Sequence, residues 1–138
     1  MLTSISFSLP QYFINEFESL LNSQKNADIG KVTVEIVKLY FKSIYPNCSF
    51  KVGKNNEPDM IVIENNTEIP YEIKGTKGNN IAFNKVKISS KYCYDKLIEG
   101  MEIIRVTNIG ESIVKIYFLK NGIDFKMEPE DRWKVKKI

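Results

Sequence analysis

Two stretches with helical periodicity occupy the N-terminal third of the chain. After Pro10, apolar residues recur at helical spacing in PQYFINEFESLLNS, which predicts a first helix. Residues 26–30 interrupt this pattern, and a second apolar stripe then runs from Ile29 to Ser43. The second stripe predicts a longer helix, which ends before Pro46 because the residue preceding a proline disfavours helical backbone angles.

The period then changes to that of β-strands. Three consecutive segments, CSFKVG, DMIVIE and TEIPYEIKG, predict strands because their apolar residues alternate or form a continuous run between turn residues. After a loop rich in glycine and asparagine, SSKYCYDKLIEG predicts a short helix with Ser89 or Ser90 as N-cap and Gly100 as its end. MEIIRVTNI and SIVKIYFLK predict two more strands, joined by a turn at Gly110 and Glu111.

The predicted order ααβββαββ indicates an α/β (α+β) fold, in which a mixed central sheet of about five strands is flanked by helices. A length of 138 residues suits one domain spanning residues 1–138, since single hydrophobic cores serve about 100 to 200 residues. RWKVK near the C-terminal end predicts a short additional edge strand.

Composition narrows the chemistry and the location. The chain is 43% hydrophobic and 27% charged, as globular proteins are. No apolar run approaches the roughly 18 residues of a membrane span, and the first residues lack the basic start of a signal peptide, so we expect a cytoplasmic protein without membrane partners. Cys48 and Cys93 are expected to be buried thiols. Histidine is absent, which excludes Ser-His-Asp and Cys-His catalysis and leaves carboxylates, lysines and tyrosines.

The turn between the second and third predicted strands fixes how these strands pair. Asparagine tolerates positive φ, so the Asn-Asn pair at 65–66 suits a two-residue hairpin loop. This register places Asp59 opposite Glu72. Lys74 follows on the same face as Glu72, and Glu57 is expected to lie opposite it. Directly opposed Cβ atoms are about 4.5 to 5.5 Å apart, so the two carboxylates repel each other unless a cation compensates them.

A hard divalent cation is the expected compensation. Magnesium prefers oxygen ligands and usually takes one or two protein carboxylates, and manganese is a substitute with similar preferences. Lys74 would then orient the attacking water or neutralise charge that develops on a phosphate. Pro70 is an objection, because proline usually marks an edge strand or a bulge and here predicts a kink that disturbs the register.

These residues form a motif with a known counterpart. Pro-Asp at 58–59, twelve intervening residues and Glu-Ile-Lys at 72–74 resemble the PD-(D/E)xK motif of the restriction endonuclease-like nuclease superfamily. The resemblance covers about residues 28–119, where the predicted order matches the α-β-β-β-α-β core of that superfamily, with the motif on its second and third strands. The residues that resemble the small nuclease-like domain at the C-terminus of proteins related to NO VEIN are Gly30, Glu35 and 71–76.

The resemblance implies a role for each motif residue. It implies a magnesium ion bound by Asp59, Glu72 and the backbone carbonyl of Ile73, with Lys74 as the catalytic cation. Many members add a catalytic glutamate from the preceding helix, and Glu35 occupies a suitable place beside the apolar stripe of the second predicted helix. The alternative for Glu35 is an ordinary solvated position on the flank of that helix.

A basic run follows the motif. Between residues 74 and 94 there are five lysines and no acidic residue. Lysines beside a catalytic face are what contact with a phosphate backbone requires. The predicted nucleic-acid contacts are Lys77, Lys85, Lys87 and Lys91. Near the C-terminal end, the residues that extend the basic surface, or that protect an edge strand, are Arg132, Lys134, Lys136 and Lys137 around Trp133.

Together these features predict a magnesium-dependent endonuclease that hydrolyses phosphodiester bonds, with DNA as the expected substrate. The sequence has no recognisable helix-turn-helix or zinc finger, so specificity must come from loops, a homodimer partner or a companion specificity subunit. The main alternative is a catalytically silent nucleic-acid-binding or assembly domain that keeps the fold. A third interpretation, an incidental acidic hairpin, predicts no metal affinity.

Overall fold

A mixed sheet of six strands forms the centre of the molecule. The computed structural model describes residues 2–54, 56–131 and 133–138. A short 3-10 helix, Phe83–Lys85, follows the fourth strand. The other elements, in chain order, are β1 (Ile5–Ser8), α1 (Gln11–Glu16), α2 (Glu18–Leu21), α3 (Asn26–Ile44), β2 (Ser49–Val52), β3 (Met60–Glu64), β4 (Thr67–Gly75), α4 (Lys91–Glu99), β5 (Glu102–Thr107) and β6 (Ile113–Leu119).

The N-terminal part departs from the sequence prediction in three ways. An unpredicted strand, β1, pairs antiparallel with β6 and gives the sheet its sixth member. The first predicted helix is divided into α1 and α2 at Phe17, whose backbone leaves the helical region at φ −107° and ψ 23°. Residues 26–30 do not interrupt a helix but form the start of α3. The exposed first turn of α3 needs few apolar residues, so its periodicity is weak there.

Helices pack on both faces of the sheet, which confirms the predicted α+β class. The strand order is β1-β6-β5-β4-β3-β2, with β4 and β5 parallel and the other neighbours antiparallel. On one side, Ile36 and Phe41 of α3 pack against Tyr71 of β4 in the larger core cluster. On the other side, Leu97 of α4 packs against Ile103 of β5 in a smaller cluster. We call these sides the α3 face and the α4 face.

The β3–β4 hairpin has the predicted register. Asn65 and Asn66 have φ values of 48° and 63°, the positive values that a two-residue loop requires. Strand β4 continues through Pro70, which pairs with Ile61, so the kink expected at the proline does not disturb the pairing. Pairing with β5 begins only at Tyr71, so Pro70 has a partner strand, β3, on one side only. Proline tolerates this position because it has no N–H to donate to a second strand.

The partner predicted for Lys74 is wrong. The ladder between β3 and β4 stops at Met60 and Tyr71, so the two pairs predicted from the turn, Asp59 with Glu72 and Glu57 with Lys74, both lie outside it. Lys74 instead lies beside Arg105 in the parallel ladder between β4 and β5. The turn fixes the register of the hairpin but not where the ladder ends, and residues 53–54 and 56–59 form no strand.

The helix α4 has the predicted caps. The Ser90 Oγ accepts a hydrogen bond of 3.1 Å from the backbone N–H of Cys93, and Gly100 adopts φ 117° at the other end. We expect Ser90→Ala to lower the free energy of unfolding by about 1 kcal/mol, measured by urea denaturation, because an N–H of the first turn loses its acceptor. Ser89→Ala is the control, and equal losses in both variants would contradict the cap.

Two further predictions have clear outcomes. Cys48 and Cys93 are buried free thiols, as expected. The edge strand predicted at RWKVK is wrong for residues 133–138, which form no strand, and Arg132 lies outside the described residues. In the part of the chain that the structure describes, no helix has the length and apolar character needed to cross a membrane.

Candidate metal and nucleic-acid site

Asp59 lies at the junction between a loop and the start of β3. Its Oδ2 accepts a hydrogen bond of 2.9 Å from the backbone N–H of Ile73. The loop is held against the end of β2, where the N–H of Gly53 donates to the Asp59 carbonyl at 3.1 Å. A Cβ at Gly53 would lie 1.8 Å from the carbonyl oxygen of Pro58, so only glycine allows this approach. The Asp59 carboxylate is therefore held across the end of the hairpin.

Glu72 and Lys74 project from β4 toward the α4 face. The Lys74 Nζ lies 3.2 Å from the Glu72 Oε2, and Glu72 is only 8% exposed. Burial raises the pKa of Glu72, the nearby Asp59 carboxylate raises it further, and the Lys74 ammonium lowers it. The structure thus brings together Asp59, Glu72 and Lys74, as the sequence predicted, with Glu72 between the second carboxylate and the ammonium that pairs with it.

This raised pKa predicts how stability depends on pH. The folded protein holds the Glu72 proton more tightly than the unfolded chain, so stability falls as pH rises from the ordinary value of 4.5 through the raised pKa. Glu72→Gln removes this loss, so we expect it to gain stability over wild type as pH rises. Urea denaturation at about pH 4.5 and about pH 7.5 measures the gap. Glu68→Gln, at an exposed carboxylate of the same strand, is the control. A gap independent of pH would contradict the assignment.

The oxygen atoms around Asp59 fit a hard divalent cation. Within the described ranges, no group of three or more histidine, cysteine, aspartate or glutamate side chains is placed to hold a metal. Magnesium usually needs only one or two protein carboxylates, which Asp59 and Glu72 supply. The N–H and carbonyl of one strand residue point toward the same neighbouring strand, so the Ile73 carbonyl also faces the side on which Asp59 lies.

Arg105 is a residue of this face that the sequence analysis missed. Its side chain is 4% exposed, and its Nε and Nη1 donate to the carbonyls of Ile81 at 2.9 Å and Gly75 at 3.2 Å. Burial lowers the pKa of Arg105. Arg105 therefore joins the two ends of the loop that follows Lys74. A charged residue between the apolar Ile104 and Val106, in the middle of the strand, was the available signal.

Two other side chains complete the same face. Burial raises the pKa of the Cys93 thiol to about 12, and the neighbouring Glu72 carboxylate contributes to the increase. The thiol therefore stays protonated at neutral pH. Thr107 Oγ1 is buried and has no hydrogen-bond partner among the described residues. The Glu72 carboxylate consequently lies in a setting from which water is largely removed.

Glu35 is not brought to this cluster. It lies on α3, which packs against the opposite face of the sheet from Glu72 and Lys74. Its carboxylate is 3.6 Å from the Lys38 Nζ, within the same helix. A catalytic role for Glu35 stays a prediction, and the arrangement is that of a solvated helix flank.

The four lysines predicted to bind nucleic acid have different surroundings. The Lys77 Nζ donates to the carbonyls of Leu21 at 2.9 Å and Ser23 at 3.1 Å, so this lysine binds the end of α2. Lys85 is exposed in the 3-10 helix. Lys87 and Lys91 are exposed and form ion pairs with Glu130 at 2.9 Å and Asp95 at 3.1 Å. Exposed ion pairs contribute about 0 to 1 kcal/mol, so Lys87 and Lys91 can exchange these partners for phosphates.

Comparisons with family models, with curated proteins and with solved structures give no match to the chain. The functional assignment therefore depends on the residues of the site.

Proposed function

We propose that this protein is a metal-dependent endonuclease of the PD-(D/E)xK type that hydrolyses phosphodiester bonds, with DNA as the expected substrate. The observation that carries the proposal is the hydrogen bond of 2.9 Å between Asp59 and the Ile73 N–H. It holds a carboxylate beside Glu72, whose own partner is Lys74 at 3.2 Å. All three functional groups of the motif therefore converge at one end of the hairpin.

The order of elements supports the same proposal. From α3 to β5 the chain runs α3-β2-β3-β4-α4-β5, which is the α-β-β-β-α-β order that the resemblance implies. Asp59 precedes β3 directly, and Glu72 and Lys74 lie in β4. The motif thus lies just before the second strand and within the third strand of that series, close to where the superfamily carries it.

The residues present fit magnesium, or manganese as a substitute. Asp59, Glu72 and the carbonyl of Ile73 would hold the ion. When bound, it supplies a Lewis acid that stabilises negative charge on the scissile phosphate. Lys74 adds a positive charge at the same place, and its ion pair with Glu72 fixes the direction of the ammonium. Lys74 also donates hydrogen bonds that orient the attacking water.

A buried carboxylate beside a second carboxylate, as Glu72 is beside Asp59, is hard to explain by stability alone. Burial and the nearby Asp59 charge both disfavour the ionised form of Glu72, so a purely structural domain would gain stability from a neutral residue at position 72. Groups with perturbed pKa values cluster at functional sites for this reason. The observation favours catalysis over the silent nucleic-acid-binding domain, which does not need both acids.

Cleavage assays test the proposal. Purified protein is incubated with plasmid, single-stranded DNA and RNA in magnesium, manganese or EDTA. We expect metal-dependent cleavage by wild type and by the control Glu68→Gln, and none by Asp59→Asn. Cleavage that survives Asp59→Asn would refute this active site. Binding without cleavage by wild type would favour the silent binding domain, and calorimetry that detects no magnesium or manganese binding would favour an incidental acidic hairpin.

Assembly remains part of the proposal. A single small site cuts one strand, so a homodimer would allow both strands of a duplex to be cut. A companion subunit that supplies specificity is the other arrangement consistent with the lack of a targeting motif in the sequence. Sedimentation of the protein with and without duplex DNA distinguishes the two.

A further inference from the structure

The segment 133–138, WKVKKI, extends from the folded part of the chain. Trp133 is 94% exposed and Val135 is 96% exposed, although both are apolar residues that proteins usually bury. The segment also contains three lysines and no acidic residue. Exposed aromatic and aliphatic side chains that alternate with like charges indicate a binding segment and not part of a core.

The preceding residues place this segment on the same side of the sheet as the candidate site. Phe125 and Met127 pack against the α4-face cluster. Glu130 forms an ion pair of 2.9 Å with Lys87, which lies in the basic run that follows Lys74. Six extended residues reach about 20 Å, so the segment can span a large part of this face.

The chemistry of the segment matches a nucleic-acid strand. Proteins that bind single strands combine lysines that contact phosphates with aromatic side chains on which bases stack. The bases of a duplex are already stacked on each other, whereas those of a single strand are available to an indole. A membrane partner is disfavoured because interfacial anchors use an amphipathic helix, and residues 133–138 form none.

We propose that the WKVKKI segment binds single-stranded nucleic acid, with Trp133 stacked on a base and three lysines, Lys134, Lys136 and Lys137, on the phosphates. The inference rests on the proposed nuclease function, and it names the substrate class as strands with unpaired bases. Lys85 and Lys91 on the same face would continue the path of the phosphates toward Lys74.

The single tryptophan of the chain makes a direct test available. Wild-type protein in EDTA is titrated with oligothymidine, with oligouridine and with a duplex of equal length, while the fluorescence of Trp133 is recorded. We expect saturable quenching by single strands and much weaker quenching by the duplex. The two oligonucleotides distinguish DNA from RNA. No change with either oligonucleotide, or equal quenching by the duplex, would overturn the proposal.

Variants separate stacking from charge. Trp133→Leu is expected to weaken binding of a labelled oligonucleotide about 5- to 100-fold by fluorescence anisotropy. Alanine at all three lysines should reduce the slope of log K against log salt by about 2. The control replaces three exposed lysines elsewhere, Lys31, Lys54 and Lys120, with the same change of charge. An equal loss in that control would overturn the assignment to the segment.

Three further outcomes identify which proposal has failed. Anionic phospholipid vesicles that change the emission when oligonucleotides do not would show a membrane-binding segment and refute the proposal. Cleavage with magnesium but no quenching by single strands would leave the nuclease function intact and refute the segment's role. Quenching without any cleavage would support the segment and refute the nuclease function.

Discussion

Lys74→Ala is expected to lower the rate of metal-dependent cleavage by about 10²- to 10³-fold, the usual effect of removing one group that stabilises charge in a transition state. The ammonium is 3.2 Å from Glu72 and is the cation of the motif on this face. Lys74 also holds down the pKa of Glu72, so its loss shifts deprotonation of Glu72 to higher pH. The acid limb of the pH–rate profile should therefore move to higher pH in the variant.

Two variants control for this result. Lys51→Ala removes an exposed lysine of β2 that forms an ion pair of 3.3 Å with Glu68. This variant is expected to leave the cleavage rate unchanged. Lys74→Arg keeps the charge but changes its shape, and should recover only part of the rate. A rate for Lys74→Ala within about threefold of wild type would refute a catalytic role, since it is far below the expected loss.

Gly75→Ala is expected to lower the free energy of unfolding by about 3 kcal/mol, the upper part of the range for overpacked cores. The added Cβ would lie 1.9 Å from the Thr33 Oγ1 and 2.6 Å from the Ile109 Cδ1. Both neighbours are buried, so neither can move away at low cost. Denaturation with urea measures the loss. Since Gly75 follows Lys74, we also expect reduced cleavage by the folded variant.

A double-mutant cycle tests this packing. Thr33→Ala removes the nearest atom, so Gly75→Ala should cost less in its presence than in wild type. Gly30→Ala on α3 is the matched control, because its added Cβ meets no atom within 4 Å. There we expect a gain of about 0.5 to 1 kcal/mol from the higher helix propensity of alanine. A Gly75→Ala protein as stable as wild type would contradict the close approach of α3 to β4.

The hairpin that carries the site was predictable because local rules determine it. Two asparagines with positive φ fix the loop, and the register then follows from the two-residue period of strands. The proximity of Asp59 to Glu72 could therefore be predicted without knowledge of the rest of the fold. The caps of α4 at Ser90 and Gly100 are local for the same reason.

Features that depend on distant parts of the chain were not predictable in this way. The strand β1 exists because β6 pairs with it, and its four residues alone carry little signal. The ammonium of Lys77, a predicted phosphate contact, donates to a carbonyl at the end of α2, which is far away in sequence. Arg105 likewise donates to carbonyls of a loop. A sequence shows which side chains are charged, but tertiary packing determines which groups they contact.

Two of the hydrogen bonds that hold the site together close chain segments of different length. Asp59 and Ile73 are 14 residues apart, while Arg105 and Gly75 are 30 apart. Shorter loops close at a lower entropic cost, so the hairpin with its two neighbouring carboxylates is expected to assemble early in folding, while both acids are still hydrated. Electrostatic repulsion then grows late, when α4 covers Glu72. A cation bound at that stage would affect the folding rate as well as the final stability.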